Sequence, residues 1–226
     1  MKSRHALENQ TARPRARAGA ILLAACVAAL AVTFNGRADA HGPDRHVNPP
    51  PVPDNIKVPV GFKAFLEGHA TGTQNYVCLP SGASFAWTFF APQATLFNDR
   101  DRQIITHFLS LNPDEPGVSR ATWQDSRDTS AVWAFATPDT TSNDAHFVAP
   151  GAIAWLRLQV VGDLEGPTGG DTLTATKYIQ RVNTRGGIIP PTGCSVATDV
   201  GKKALVPYTA DYIFYRAVGG DEYDGY

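Results

Sequence analysis

Two histidines carry most of the chemical potential of this chain. His69 follows Glu67 by two residues. On an extended strand that spacing puts both side chains on one face, so a carboxylate could orient the imidazole for proton transfer or metal binding. His107 precedes a segment, read as a loop, that carries Trp123, Asp125 and Asp128. A pocket of His, Asp and Trp would suit a metal, a sugar or a small polar ligand. The plainer account is that each histidine ends a strand with a satisfied hydrogen bond, because two histidines without close spacing signal a metal only weakly. The candidate ligand-binding residues are therefore His69, Tyr76, His107, Trp123 and Asp125. None is assigned a catalytic or metal-ligating role, and no cofactor is expected.

Other chemistries find less support. His41 would become the amino terminus if a leader were removed after Ala40, and an amine plus ring could chelate Cu(II), with His46 nearby. His41 begins a proline-rich stretch, so nothing fixes it against a second ligand. Hydrolase chemistry lacks a G-x-S-x-G elbow, since Ser81-Gly82 and Gly193-Cys194-Ser195 are ordinary turn contexts. Arg181 and Asp211 could pair across neighbouring strands, and such a pair is more often structural than catalytic. Tyr76, Trp123, Trp133, Tyr208 and Tyr215 could form a stacking surface for carbohydrate, although such residues also fill β cores.

The elements that must position these residues alternate with a period of two. In Trp155–Val160 the leucines and Val160 point one way while Arg157 and Gln159 point the other. In Ser84–Phe89 the aromatics Phe85, Trp87 and Phe89 share a face, which predicts a half-buried strand. Further strands are expected at Lys63–Ala70, Gln74–Leu79, Ile104–Leu109, Ala131–Phe135, Lys177–Asn183 and Tyr208–Arg216, the last closing the sheet. Asn98 to Arg102 reads as a hairpin turn. No stretch makes a persuasive amphipathic helix. The expected fold is all-β, an antiparallel sandwich or flattened barrel in a single domain.

The first forty residues read as a secretory signal peptide. A basic region (Lys2 to Arg17) precedes an apolar run from Ala18 to Phe34 and an A-x-A site at Ala38-Asp39-Ala40. Two alternatives stay open: lipidation at Cys26, or an uncleaved leader acting as an anchor. The whole chain holds 20 basic and 21 acidic residues. The first forty hold six and two of these, so a chain cleaved there keeps 14 against 19, a net −5. That balance argues against nucleic acid or an anionic membrane as partner. Residues 41–58 read as a Pro-rich linker, 59–217 as the β domain and 218–226 as an acidic tail. Cleavage leaves Cys78 and Cys194, most simply one disulfide in an oxidising compartment, since neither has metal-ligand spacing.

Several segments in order resemble a known family. They include Gln74-Asn75-Tyr76-Val77-Cys78, Thr106-His107, Ile179-Gln180-Arg181-Val182-Asn183-Thr184-Arg185-Gly186-Gly187, Gly193-Cys194 and Val206-Pro207-Tyr208-Thr209-Ala210. Together they resemble a set of secreted bacterial and fungal proteins catalogued as a domain of unknown function, over roughly residues 52–215. Some fungal relatives carry a malate dehydrogenase label. This sequence does not support it, because no G-x-G-x-x-G follows a strand and opens a helix. The expected function is a non-catalytic binding domain of the periplasm or extracellular space, with an unidentified ligand or envelope partner. The alternatives are a secreted enzyme, hydrolytic or metal-assisted, with a site near His69, His107 and Asp125, and a structural envelope protein.

Overall fold

The computed structural model describes residues 47–219. The expected signal peptide, Cys26, His41, His46 and most of the acidic tail lie outside the described residues. Nine strands follow one another: β1 (Phe62–Ser81), β2 (Ser84–Phe97), β3 (Gln103–Leu111), β4 (Ser119–Asp125), β5 (Ala131–Phe135), β6 (Thr141–Ser142), β7 (Trp155–Leu164), β8 (Thr176–Gly186) and β9 (Lys203–Ala217). Only three single-turn 3-10 segments accompany them among the described residues.

The strands pair antiparallel in the order β5-β4-β3-β2-β1-β9-β8-β7-β6, and β5 also pairs β7. That extra pairing closes eight strands into a barrel, leaving β6 as a short outer partner of β7. Of the two architectures expected, the barrel is the one formed, because closure removes the free edges that a sandwich leaves. The last strand lies between β1 and β8 rather than at the closing seam.

Two expected strands, Lys63–Ala70 and Gln74–Leu79, are halves of one continuous β1. The predicted turn joins β2 to β3. There Asn98 Oδ1 accepts from the Arg100 and Arg102 amides, and Asp101 takes φ 54°. Trp123 and Asp125 lie on strand β4, not on a loop. Its sequence, Ser119–Asp125, mixes polar and apolar residues with little outward pattern, and cross-strand pairing decided it. The Ser84–Phe89 segment is a strand as expected, with Phe85 and Trp87 half-buried, and only Phe89 departs. Phe89 is 46% exposed, because β2 pairs β3 only from Ala94 onward and its first half projects as a hairpin with β1.

Alternation sorts side chains into two cores. Inside the barrel Leu96, Ile105, Val132, Leu173, Ile179 and Phe214 are fully buried. They lie near the start of β3, β5 and β8 and the end of β2 and β9, so they plug one end. On the outer face Ile56, Trp155, Val182, Ile213 and Tyr215 pack with Val47, Val52 and Val58. The stretch read from its prolines as a linker is thus extended but seated, from residue 47 onward, against the barrel. Burying Ile56 there is worth about 1.5–3 kcal/mol, and Gln180 Nε2 donates to its carbonyl at 2.7 Å.

Cys78 on β1 is bonded to Cys194 in the loop before β9, with Cα atoms 5.5 Å apart and a sequence separation of 116. This tether pins the β8–β9 loop to the projecting hairpin. The chain-entropy model assigns such a loop about 4–5 kcal/mol. Reduction should lower the urea midpoint markedly, and an unchanged midpoint would contradict the staple. A second expectation concerns Gly186, at φ 65°, where an added Cβ would lie 2.6 Å from the Pro207 carbonyl oxygen. Gly186→Ala should cost about 1–3 kcal/mol in the same assay.

Candidate functional site

The end of the barrel opposite the plug is not filled. His107 on β3 and Trp123 on β4 are register partners, and both point inward. Their rings stack with centroids 4.2 Å apart at 13°. Tyr212 of β9 stands 5.2 Å from His107 and 5.5 Å from Trp123. His107 Nδ1 donates to the Thr122 carbonyl at 2.8 Å, which leaves Nε2 as the ring's acceptor. Burial pushes the His107 pKa down to about 3, and the nearby Arg181 charge adds to the effect. The ring is neutral, and too weak a base for proton transfer near neutral pH.

Around this triad lies a cavity of about 250 Å³. It exists because Ala121 and Ala134, cross-strand partners on β4 and β5, and Ala136 beyond them present methyl groups where larger side chains would fill the lumen. Leu156, Leu158, Leu109 and Phe89 make the rest of its wall largely apolar. Its polar groups are few and converge. Trp123 Nε1 and Gln74 Nε2 are buried without a hydrogen-bond partner, although the Gln74 amide neighbours the Tyr208 hydroxyl. Tyr208 and Tyr212 share a hydroxyl contact of 3.2 Å, and burial raises both phenols. Arg181 reaches in from β8 and spends Nε and Nη2 on the Ala154 carbonyl, at 3.2 and 2.9 Å. It has no carboxylate partner among the described residues. At the rim Arg120 is different: it pairs with Glu115 at 2.7 Å, holding that carboxyl at about 2, and covers the Phe135 ring.

A second cluster sits on the outer face. His69 lies between inward Gly68 and Ala70, so it points away from the lumen. Its Nδ1 meets Asp211 at 2.7 Å and its Nε2 meets Asp99 at 3.0 Å. Asn183, at φ 51°, donates to the other Asp211 oxygen at 2.7 Å. The Asp211 bond raises the His69 pKa against the opposing effect of burial, with Asp99 contributing. Glu67 is raised by burial and by the Asp211 charge. Ligand atoms of Glu67, His69 and Asp211 lie within 4.8 Å of one another, so the group could hold a cation. A cation would first have to displace a carboxylate from the ring.

The candidate residues therefore divide. His107 and Trp123 meet in the lumen, while His69 is apart from them and oriented chiefly by Asp211 rather than Glu67. Tyr76 donates to the Gly187 carbonyl at 2.7 Å and packs edge-on to Phe89. Asp125 caps a turn, accepting from the Arg127 and Asp128 amides. Burial raises Asp128, but hydrogen bonds from Thr172 and Ser130 outweigh it and hold the carboxyl at about 2. Arg181 and Asp211 do not pair, because β8 and β9 set Arg181 opposite Tyr212 and Asp211 opposite Val182. Arg181 faces the lumen and Asp211 the outside. Tyr76, Trp123, Trp133, Tyr208 and Tyr215 are all buried and form no exposed stacking surface. Sequence reasoning missed Gln74 as a lumen residue and misplaced Arg181. Counting by twos from the apolar Ile179 would have turned Arg181 inward.

The whole barrel coincides with one family pattern. The pattern described as "Protein of unknown function (DUF3455)" matches residues 59–216. The chain belongs to that family. No curated protein and no solved structure matches it.

The two histidines give opposite pH signatures. His107, neutral when folded, contributes stability that is full above its unfolded value near 6.5 and is lost as pH falls toward about 3. His69, raised when folded, contributes stability that is full below 6.5 and is lost as pH rises through its raised value. Thermal melts should decline on both sides of a near-neutral plateau. His107→Gln should flatten the limb between about pH 5 and 6.5, above the unfolded values of most carboxylates, and His69→Gln the alkaline limb. Unaltered limbs would count against these assignments.

Proposed function

We propose that this chain is a non-catalytic binding domain that takes a small ligand into the open end of its barrel. The observation that carries the reading is the apolar cavity itself, with a few convergent polar groups and, among its wall residues, buried Trp123, whose indole N–H has no partner. A buried unpaired donor costs about 1–3 kcal/mol, which a ligand acceptor would relieve. Apolar pockets with a few fixed polar groups are where small molecules bind, and barrel mouths are common places for them. The same chemistry disfavours catalysis in the lumen. Among the described residues the lumen's imidazole is His107, a poor base at neutral pH, and no hydroxyl or thiol nucleophile is paired with it.

The enzyme alternative would need His69, His107 and Asp125 in one site, and the alternation of β1 directs His69 away from the other two. Function outside the cytoplasm fits the Cys78–Cys194 disulfide. Among the described residues no helix is long and apolar enough to cross a membrane.

A neutral polarity-sensitive dye such as 1-aminoanthracene should brighten on binding the wild-type protein. Ala121→Trp, which fills the cavity, should abolish the signal with the fold retained by circular dichroism. Equal brightening in the variant would place binding elsewhere and overturn the reading.

A further inference from the structure

We infer that the ligand of this cavity is a small carboxylic acid with an apolar body, bound through Arg181. The inference rests on the binding reading above and specifies its chemistry. A guanidinium has five N–H donors; Nε and Nη2 are spent on the Ala154 carbonyl and a further bond goes to the Tyr212 hydroxyl, which leaves donors for a ligand. Coulomb effects of its charge reach His107, Tyr208, Tyr212 and Tyr76. Those neighbours are neutral, and no carboxylate among the described residues offsets the cation. Arg120, by contrast, is already neutralised by Glu115 at the rim.

A lumen with one cation that no carboxylate offsets, a wall residue with an unpartnered indole N–H (Trp123 Nε1) and apolar walls has the complement of an anionic head on a hydrocarbon body. Charge-assisted hydrogen bonds to a carboxylate are stronger than neutral ones, and an arginine fork matches the two carboxylate oxygens. The apolar body would lie along Leu156, Leu158 and Leu109 toward Phe89 at the rim. A volume of about 250 Å³ restricts it to a short acyl chain or one compact ring system.

The test compares octanoate with octanol by calorimetry at pH 7.5, on the full domain with its disulfide intact. Octanoate should bind at least tenfold tighter, Arg181→Gln should erase that preference, and Arg181→Lys should restore part of it. Trp123→Phe, which keeps an aromatic ring but removes the indole N–H, should weaken octanoate more than octanol. The neutral dye should still bind Arg181→Gln, showing that the cavity survives the substitution. If octanol binds as well as octanoate, or if Arg181→Gln keeps the preference, the carboxylate assignment falls while the cavity reading stands. If neither the acid, the alcohol nor the dye binds the wild-type protein, both fall.

Discussion

An eight-stranded barrel has an interior just wide enough for side chains to fill, so the residues on its inner face decide whether it is a solid core or a cup. Here that constraint is met unevenly. At one end Leu96, Ile105, Ile179, Phe214 and the loop residue Leu173 fill the lumen completely. At the other, Ala121 of β4 and Ala134 of β5 face the lumen, and the space they leave is bounded by His107, Trp123, Tyr212 and Arg181. Closure by the β5–β7 pairing is what turns these scattered residues into one wall. Without it, β4 and β8 would not face each other across a cavity.

The most distinctive stretch of the chain, Ile179 to Gly187, shows how one strand serves both faces. Ile179 packs in the plug, and Arg181 enters the lumen. Gln180 turns outward, donates to the Ile56 carbonyl and accepts from the Tyr215 hydroxyl, locking the strap to the barrel. Asn183 sits where the register with β9 shifts and steadies Asp211. Thr184 donates to the Ile153 carbonyl at 2.6 Å, and Gly186 makes the close approach to Pro207 that starts the loop toward Cys194. Of the two arginines in the stretch, Arg185 is exposed and Arg181 carries spare N–H donors into the lumen.

Much of this was legible in sequence. Strong alternation marked β7, β8 and β9, the Asn98–Arg102 turn placed the β2–β3 hairpin, and the two remaining cysteines paired as expected. His107 and Trp123 were singled out as candidates, and they meet. The failures share one cause. Whether Trp123 sits on a strand, whether Phe89 is buried and whether Arg181 meets Asp211 all depend on which strand lies alongside and in what register. A one-residue difference in register moves a side chain to the opposite face.

The sequence by itself determined that this is an all-β domain with a disulfide between its first strand and the loop before its last, because periodicity and cysteine count are local properties. It also determined the inventory of polar side chains available for a site. Only the tertiary structure decided that the sheet closes, that His69 and His107 lie on opposite faces and that an arginine is left without an acid in an apolar cavity. Those outcomes are set by long-range strand pairing and by the volume of residues far apart in the chain, and no single segment encodes them.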